Sequence, residues 1–132
     1  MKKQIDDKLT YMIIGCAMKV HNKLGCGFPE KIYQKALAIE MTKEGLKFDL
    51  EMSIPIYYHD VKLTTRRVDF FVQDKVMVEL KAIFQLENGH LNQAMNYCEA
   101  CNLPYGLLIN FGAKSLEYKR VYNLNHPDNK TT

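Results

Sequence analysis

Two strand-like segments joined by a short polar turn constrain the fold of this chain more than any other feature. Residues 67–72 and 76–82 are rich in Val, Phe and Leu, and the polar residues 73–75 separate them. A three-residue turn pairs Val72 with Val76. In this register Asp69 lies directly opposite Glu79.

The register divides the hairpin into two faces, because side chains alternate along a strand. One face is wholly apolar and consists of Val68, Phe70, Val72, Val78, Leu80 and Ala82. The other face gathers Asp69, Glu79 and Lys81. A two-residue turn would instead set Asp69 opposite Leu80 and mix polar with apolar residues on both faces.

Charged residues in strands that otherwise look like core are buried only when they are paired or bind a metal. Two adjacent carboxylates repel each other and attract a cation, and oxygen ligands of this kind select Mg²⁺ or Mn²⁺. A lysine beside them could position an attacking water or stabilise charge on a phosphate. The alternative is a cross-strand ion pair on an exposed face, and the residues alone leave both interpretations open.

Hydrophobic periodicity predicts helices over 5–24 and from Pro29 to Gly45, where Gly is a natural stop. Strand patterns follow at 47–58, 61–72 and 76–83, then a helix from about Asn88 to Asn102 and strands at 105–110 and 116–122. The predicted order is α-α-β-β-β-α-β-β. We expect one α/β domain over residues 1–124 and a flexible tail over 125–132.

Composition excludes few classes of function. The net charge of +3 permits a polyanionic partner without demanding one. The longest apolar run, residues 11–18, is too short to span a bilayer, so we expect no membrane partner. Four cysteines without a secretory pattern favour reduced, buried thiols and a cytoplasmic location, although Cys98 and Cys101 have a CxxC spacing.

The arrangement Asp69, then Glu79-x-Lys81 on the next strand, resembles the PD-(D/E)xK nuclease superfamily. More narrowly, residues 27–33 match the pattern of the GxxExxY protein family, with Glu30 and Tyr33 at its acidic and aromatic positions. The resemblance extends over about residues 10–122. It implies a restriction-endonuclease-like core in which helices flank a mixed central β-sheet.

The resemblance also implies roles for individual residues. Asp69 and Glu79 would bind the metal, with the Leu80 backbone carbonyl as a further ligand, and Lys81 would be the catalytic lysine. Glu30 would complete the metal shell directly or through water. Without the family resemblance, Glu30 is better explained as an acid at a helix N-terminus, where the helix dipole favours a negative charge.

A helix face is expected to contribute to substrate binding. Gln93 and Tyr97 resemble the Q-x-x-x-Y element of RecB-like nucleases, which places Gln93 near the scissile phosphate. His90 shares their helix face at spacings of three and four residues, or else belongs to a polar seam packed on the sheet. Four basic residues are either phosphate contacts or solvated strand ends: Arg66, Arg67, Lys119 and Arg120. Of these, Arg67 is predicted to bind substrate.

The function implied by the resemblance is a Mg²⁺- or Mn²⁺-dependent nuclease acting on DNA or RNA. The first alternative is a non-catalytic module that binds nucleic acid or protein. The second is a nuclease subunit that is active only in a complex, and the apolar, tyrosine-rich segment 54–58 could then face a second copy or a partner protein.

Overall fold

The structure is a computed structural model that describes residues 7–129. Its elements are α1 (Asp7–Leu24), α2 (Glu30–Lys43), β1 (Phe48–Tyr58), β2 (Val61–Val72), β3 (Val76–Lys81), α3 (Asn88–Ala100), β4 (Tyr105–Asn110) and β5 (Glu117–Tyr122). The predicted order of helices and strands is confirmed. The expected start of the first helix at Ile5 lies outside the described residues.

The five strands form one mixed sheet in the order β1-β2-β3-β4-β5. Neighbouring strands are antiparallel except β3 and β4, which are parallel. A parallel pair needs a crossover connection, and α3 provides it. Val72 pairs with Val76, which confirms the predicted register of the central hairpin.

Helices flank the sheet, and each side has its own apolar cluster. The larger cluster joins α1 and α2 to one face of the sheet and includes Phe70, Val78 and Leu80. The smaller cluster joins α3 to the other face and includes Met77 and Leu108. All six residues of β4 are buried, as expected for a central strand covered on both faces.

The β1–β2 hairpin reverses its faces at Glu51. Phe48 packs in the cluster with α1 and α2, whereas Met52 and Ile54 pack against α3. A regular strand would point all three to one side. Glu51 has a φ of 55°, and this residue interrupts the alternation.

The reversal corrects one part of the predicted apolar face. Val68 pairs with Met52 across the hairpin and therefore packs with α3 rather than with Phe70. The hairpin beyond the reversal, residues 52–68, is called the β1–β2 arm below.

The chain after β5 folds back on the domain. Residues Pro127–Asn129 form a 3-10 turn, and the buried Asn129 donates hydrogen bonds to the carbonyl oxygens of Pro104 and Asn123. Residues 130–132 of the predicted flexible tail lie outside the described residues. The single domain over 1–124 and the flexibility of the tail as a whole stay predictions.

None of the helices between residues 7 and 129 has both the length and the apolar character needed to cross a bilayer. The four cysteines are free thiols. Cys16 and Cys98 are buried as expected, while Cys26 is exposed. Burial raises the pKa of the Cys98 thiol to about 12, which leaves this half of the CxxC pair unreactive.

Candidate active site

Asp69 and Glu79 connect β2 to β3 where regular strand pairing stops. The pairing runs from Val72–Val76 to Phe70–Val78. Beyond it, the Leu80 backbone N–H donates to Asp69 Oδ2 at 2.7 Å, and the Asp69 N–H donates to Glu79 Oε1 at 3.3 Å. Each carboxylate thus accepts a hydrogen bond from the opposite strand, and this fixes the two acids side by side.

The environment of Glu79 is unfavourable for a negative charge. Its side chain is 8% exposed, and burial, followed by the charge and hydrogen bonding of Asp69, raises the Glu79 pKa to about 8. Lys81 acts in the opposite direction and lowers it. A cation bound between the carboxylates would remove the repulsion that Lys81 relieves only in part.

Lys81 ends β3 and reaches across to α3. Its Nζ donates to Gln93 Oε1 at 3.0 Å, and both side chains are half-buried. The charged head of a long, flexible side chain is thereby held at one position beside Glu79. Two residues to which the resemblance gives separate roles, Lys81 and Gln93, are therefore in direct contact.

Glu30 opens α2 and lies at the edge of this group. Its side chain is exposed, yet partial desolvation and then the charge of Asp69 raise its pKa, while Lys81 lowers it. One turn further along α2, the buried Gln34 donates to the Asp69 carbonyl at 3.3 Å. Helix α2 is therefore docked on β2 with Glu30 within electrostatic range of the carboxylate pair.

The loop before Glu30 is shaped by the residues of the GxxExxY pattern. Gly27 has a φ of 113°, a conformation that side chains rarely allow. The Tyr33 hydroxyl donates to the Gly25 carbonyl at 2.6 Å and accepts from the Phe28 N–H at 3.2 Å. Its ring stacks on Phe111 at 4.7 Å. Tyr33 thus fixes the turn from which Glu30 emerges.

The sequence matches one protein-family model over most of its length. This model is described as the PD-(D/E)XK nuclease superfamily and matches residues 7–121. The chain belongs to the PD-(D/E)XK nuclease superfamily. Neither the curated proteins nor the solved structures that were compared contain a match. The matched range extends from α1 into β5, and the observed mixed sheet with flanking helices agrees with a PD-(D/E)XK core.

The oxygen donors at this candidate site of the PD-(D/E)XK protein fit a hard divalent cation. Asp69 and Glu79 supply carboxylates, and a backbone carbonyl such as that of Leu80 is of the same ligand type. Among residues 7–129, no three His, Cys, Asp or Glu side chains are grouped tightly enough to hold a metal. Glu30 and the carboxylate pair therefore do not form such a three-acid group as they stand, and the predicted role of Glu30 through a bridging water stays a prediction.

Tyr97 and Arg66 extend the candidate site along α3 and β2. Tyr97 is half-buried, and burial followed by the charge of Glu79 raises the pKa of its hydroxyl, whereas the neighbouring Arg66 lowers it. Arg67, the arginine predicted to bind substrate, is largely exposed, and its guanidinium faces Glu51 at 3.9 Å. Adjacent strand residues point to opposite sides, and only the folded hairpin shows which arginine lies beside α3.

The other predicted contacts lie elsewhere. His90 Nδ1 accepts the Glu87 backbone N–H at 3.0 Å, so His90 caps the start of α3, and its contact with substrate stays a prediction. Arg120 donates to the buried Thr10 hydroxyl at 2.9 Å and so turns towards α1.

Asn110 is an important residue to which sequence analysis assigned no role. Its buried side chain accepts from the N–H groups of Ile83 and Gly112 and donates to the Ile83 carbonyl and to Glu117 Oε1, each at 2.9–3.0 Å. Glu117 Oε1 also accepts the Leu86 N–H at 2.9 Å. This network fixes the loop between Lys81 and α3. A lone Asn in an apolar strand was the signal for it.

Proposed function

We propose that this PD-(D/E)XK protein is a metal-dependent nuclease that hydrolyses phosphodiester bonds in DNA or RNA. The observation that carries the proposal is the pairing of the buried Glu79 carboxylate with the partly buried Asp69 carboxylate, beside a lysine anchored by Gln93. An exposed ion pair would not hold Glu79 at 8% exposure next to a second acid.

Asp69 and Glu79 would hold Mg²⁺ or Mn²⁺, with the Leu80 carbonyl and Glu30 completing the shell. When bound, such an ion acts as a Lewis acid towards phosphoryl oxygens and lowers the pKa of a bound water. The chain's own contribution is to orient both carboxylates through backbone N–H donors before a cation arrives.

Lys81 would stabilise the negative charge that develops on the phosphate and orient the attacking water. Gln93 holds the Lys81 ammonium in place and would itself contact the substrate or that water. Tyr97 and Arg66 lie on the same side of the sheet, where they would contact the phosphates next to the scissile one. The shaping of the Glu30 loop by Gly27 and Tyr33 supports a narrower proposal, membership of the GxxExxY family.

A cleavage assay tests the proposal. Purified protein is incubated with DNA and with RNA in the presence of Mg²⁺, Mn²⁺ or EDTA, and Lys81→Ala is compared with Lys43→Ala, an exposed lysine at the end of α2. We expect metal-dependent cleavage by wild-type protein and Lys43→Ala, and at least a hundredfold loss in Lys81→Ala with an unchanged circular dichroism spectrum. Equal cleavage by Lys81→Ala would indicate a contaminating nuclease and contradict the proposal.

A further inference from the structure

The β1–β2 arm extends beyond the body of the sheet. Strand β3 pairs with β2 only as far as Phe70, and residues 61–67 of β2 are exposed without interruption. Ile54 and Ile56 anchor the base of the arm against the α3 cluster. From Arg66 to the turn at His59–Asp60, six residues of extended chain span about 20 Å.

The arm carries an excess of positive charge. Residues 52–68 contain Lys62, Arg66 and Arg67 but one acid, Asp60. Arg67 shares Glu51 with Lys31 at the base of the arm, so the carboxylate there is already matched by two cations. Because the whole chain carries a net charge of +3, a second copy would bring like charge to this surface. A polyanion is the better match.

The tip of the arm exposes aromatic side chains. Tyr57 is 58% exposed and Tyr58 is 65% exposed. Tyrosine rings beside basic residues suit a nucleic acid, because the rings stack on bases or pack on sugars while the cations contact phosphates. The apolar Val61 and Leu63, also exposed, add to the contact area on the return strand.

The base of the arm meets the candidate active site. Glu51, where the faces reverse, lies opposite Asp69 in the register of β1 and β2. The arm therefore begins next to the carboxylate pair. Arg66 lies beside Tyr97 on α3, and Tyr97 experiences the charge of Glu79. A bound strand could therefore run continuously from the carboxylates along the arm.

We propose that the β1–β2 arm binds the nucleic-acid substrate on one side of the scissile phosphate, through Lys62 and Arg66 to phosphates and through Tyr57 and Tyr58 to sugars or bases. The inference rests on the proposed nuclease function and adds a substrate requirement to it. A reach of about 20 Å corresponds to about six base pairs at 3.4 Å per step. Substrates that extend at least this far beyond the cleaved bond would use the arm, and shorter ones would not.

The test compares binding of a long and a short substrate. Fluorescein-labelled DNA hairpins with minimal loops and stems of about 4 and about 24 base pairs, and RNA hairpins of the same sequences, are titrated in the Lys81→Ala background while anisotropy is recorded. The arm variant is Lys62→Ala/Tyr57→Ala/Tyr58→Ala. The matched control is Lys43→Ala/Tyr11→Ala, which removes an exposed lysine and a 76% exposed tyrosine from the helices.

We expect the arm variant to bind the long substrate at least tenfold more weakly than the control does, and the short substrate within about twofold. Lys62→Ala alone should lower the slope of log affinity against log salt by about one. Equal affinities of the arm variant and the control for the long substrate would overturn the proposal. The proposal would also be overturned if the arm substitutions changed the protein's mass in solution, measured by light scattering, but not its affinity for the long substrate. The latter result would assign the arm to a protein interface.

Failure of the arm and failure of the nuclease are distinguishable. If wild-type protein cleaves both lengths and the arm variant with Lys81 intact cleaves them equally well, the arm proposal fails and the nuclease stands. If wild-type protein neither binds nor cleaves either substrate, both fail together.

Discussion

At the scale of single residues, the carboxylates of Asp69 and Glu79 are held so close together that their negative charges repel each other. The Leu80 N–H binds Asp69 and the Asp69 N–H binds Glu79, so neither acid can turn away without losing a hydrogen bond to the opposite strand. Sequence sufficed to predict this opposition because the length of a hairpin turn fixes its register. It could not predict how deeply Glu79 is buried, since burial depends on helices that pack from elsewhere in the chain.

Gln93 provides the first prediction at this scale. Gln93→Ala should lower the cleavage rate about ten- to a hundredfold, because Lys81 loses the partner that positions its ammonium. The free energy of unfolding should change by about 1 kcal/mol, the value of one half-buried hydrogen bond. The measurements are steady-state cleavage and urea denaturation, with the exposed Gln85→Ala as control. A Gln93→Ala variant with the cleavage rate of the control would show that the contact is incidental.

Two other residues mark the limit of prediction from sequence. Glu30 is predicted to complete the metal shell directly or through water, and its side chain is exposed and does not form a three-acid group with the carboxylate pair. Arg67 was favoured over its neighbour Arg66, although Arg66 is the one that lies beside Tyr97. The position of Glu30 depends on how α2 packs on the sheet, and the directions of Arg66 and Arg67 depend on an alternation that is undecided once a strand is irregular.

At the scale of elements, the loop between β3 and α3 determines whether Lys81 and Gln93 meet. Asn110 and Glu117 satisfy the backbone groups of this loop, and Gly112 lets the chain after β4 approach it closely. A Cβ at Gly112 would lie 2.3 Å from the Ile83 nitrogen and 2.4 Å from the Ile83 oxygen. Rigid backbone contacts of this kind cannot be relieved by a rotamer change.

Gly112→Ala therefore provides an element-scale prediction. We expect it to lower the free energy of unfolding by about 2 to 3 kcal/mol, as overpacking against backbone does. Gly15→Ala is the matched control, because a Cβ there has nothing within 4 Å and Ala is favoured over Gly inside a helix by about 1 kcal/mol. Urea denaturation measures both. Equal midpoints for Gly112→Ala and wild type would mean that the loop does not lie against Gly112.

The face reversal in the β1–β2 hairpin shows why the elements were predictable and their packing was less so. Apolar patterning gave the extents of the strands to within a few residues, because alternation persists on either side of the break. The break itself occurs at Glu51, which has a φ of 55°. A Gly or Asn at this position would have indicated such a conformation, whereas Glu does not. Val68 was therefore assigned to the wrong layer.

At the scale of the whole molecule, the site joins segments that are distant along the chain. Glu30 comes from α2, the carboxylates and Lys81 from the β2–β3 hairpin, and Gln93 from α3. Sequence predicted that these segments converge only through the resemblance to a known superfamily, because no local rule places α2 beside β2. The convergence exists only in the folded state, so ligands of the site must stabilise the fold.

Metal addition and removal provide the prediction at this scale. Mg²⁺ or Mn²⁺ at about a hundred times its dissociation constant should stabilise wild-type protein by about 2.7 kcal/mol, and EDTA should reverse the effect. Asp69→Asn should lose the shift, because one of the two ligands becomes neutral, whereas Asp74→Asn in the exposed turn should keep it. Thermal denaturation with and without metal is the measurement. An undiminished shift in Asp69→Asn would place the metal elsewhere.

The most direct test of the metal site is a crystal soaked in Mn²⁺ and measured for anomalous scattering. We predict a peak between the carboxylates of Asp69 and Glu79, with the Leu80 carbonyl oriented towards it. The same soak of Asp69→Asn crystals should give no peak there. A soaked wild-type crystal whose ordered Asp69 and Glu79 side chains enclose no anomalous density would contradict the account.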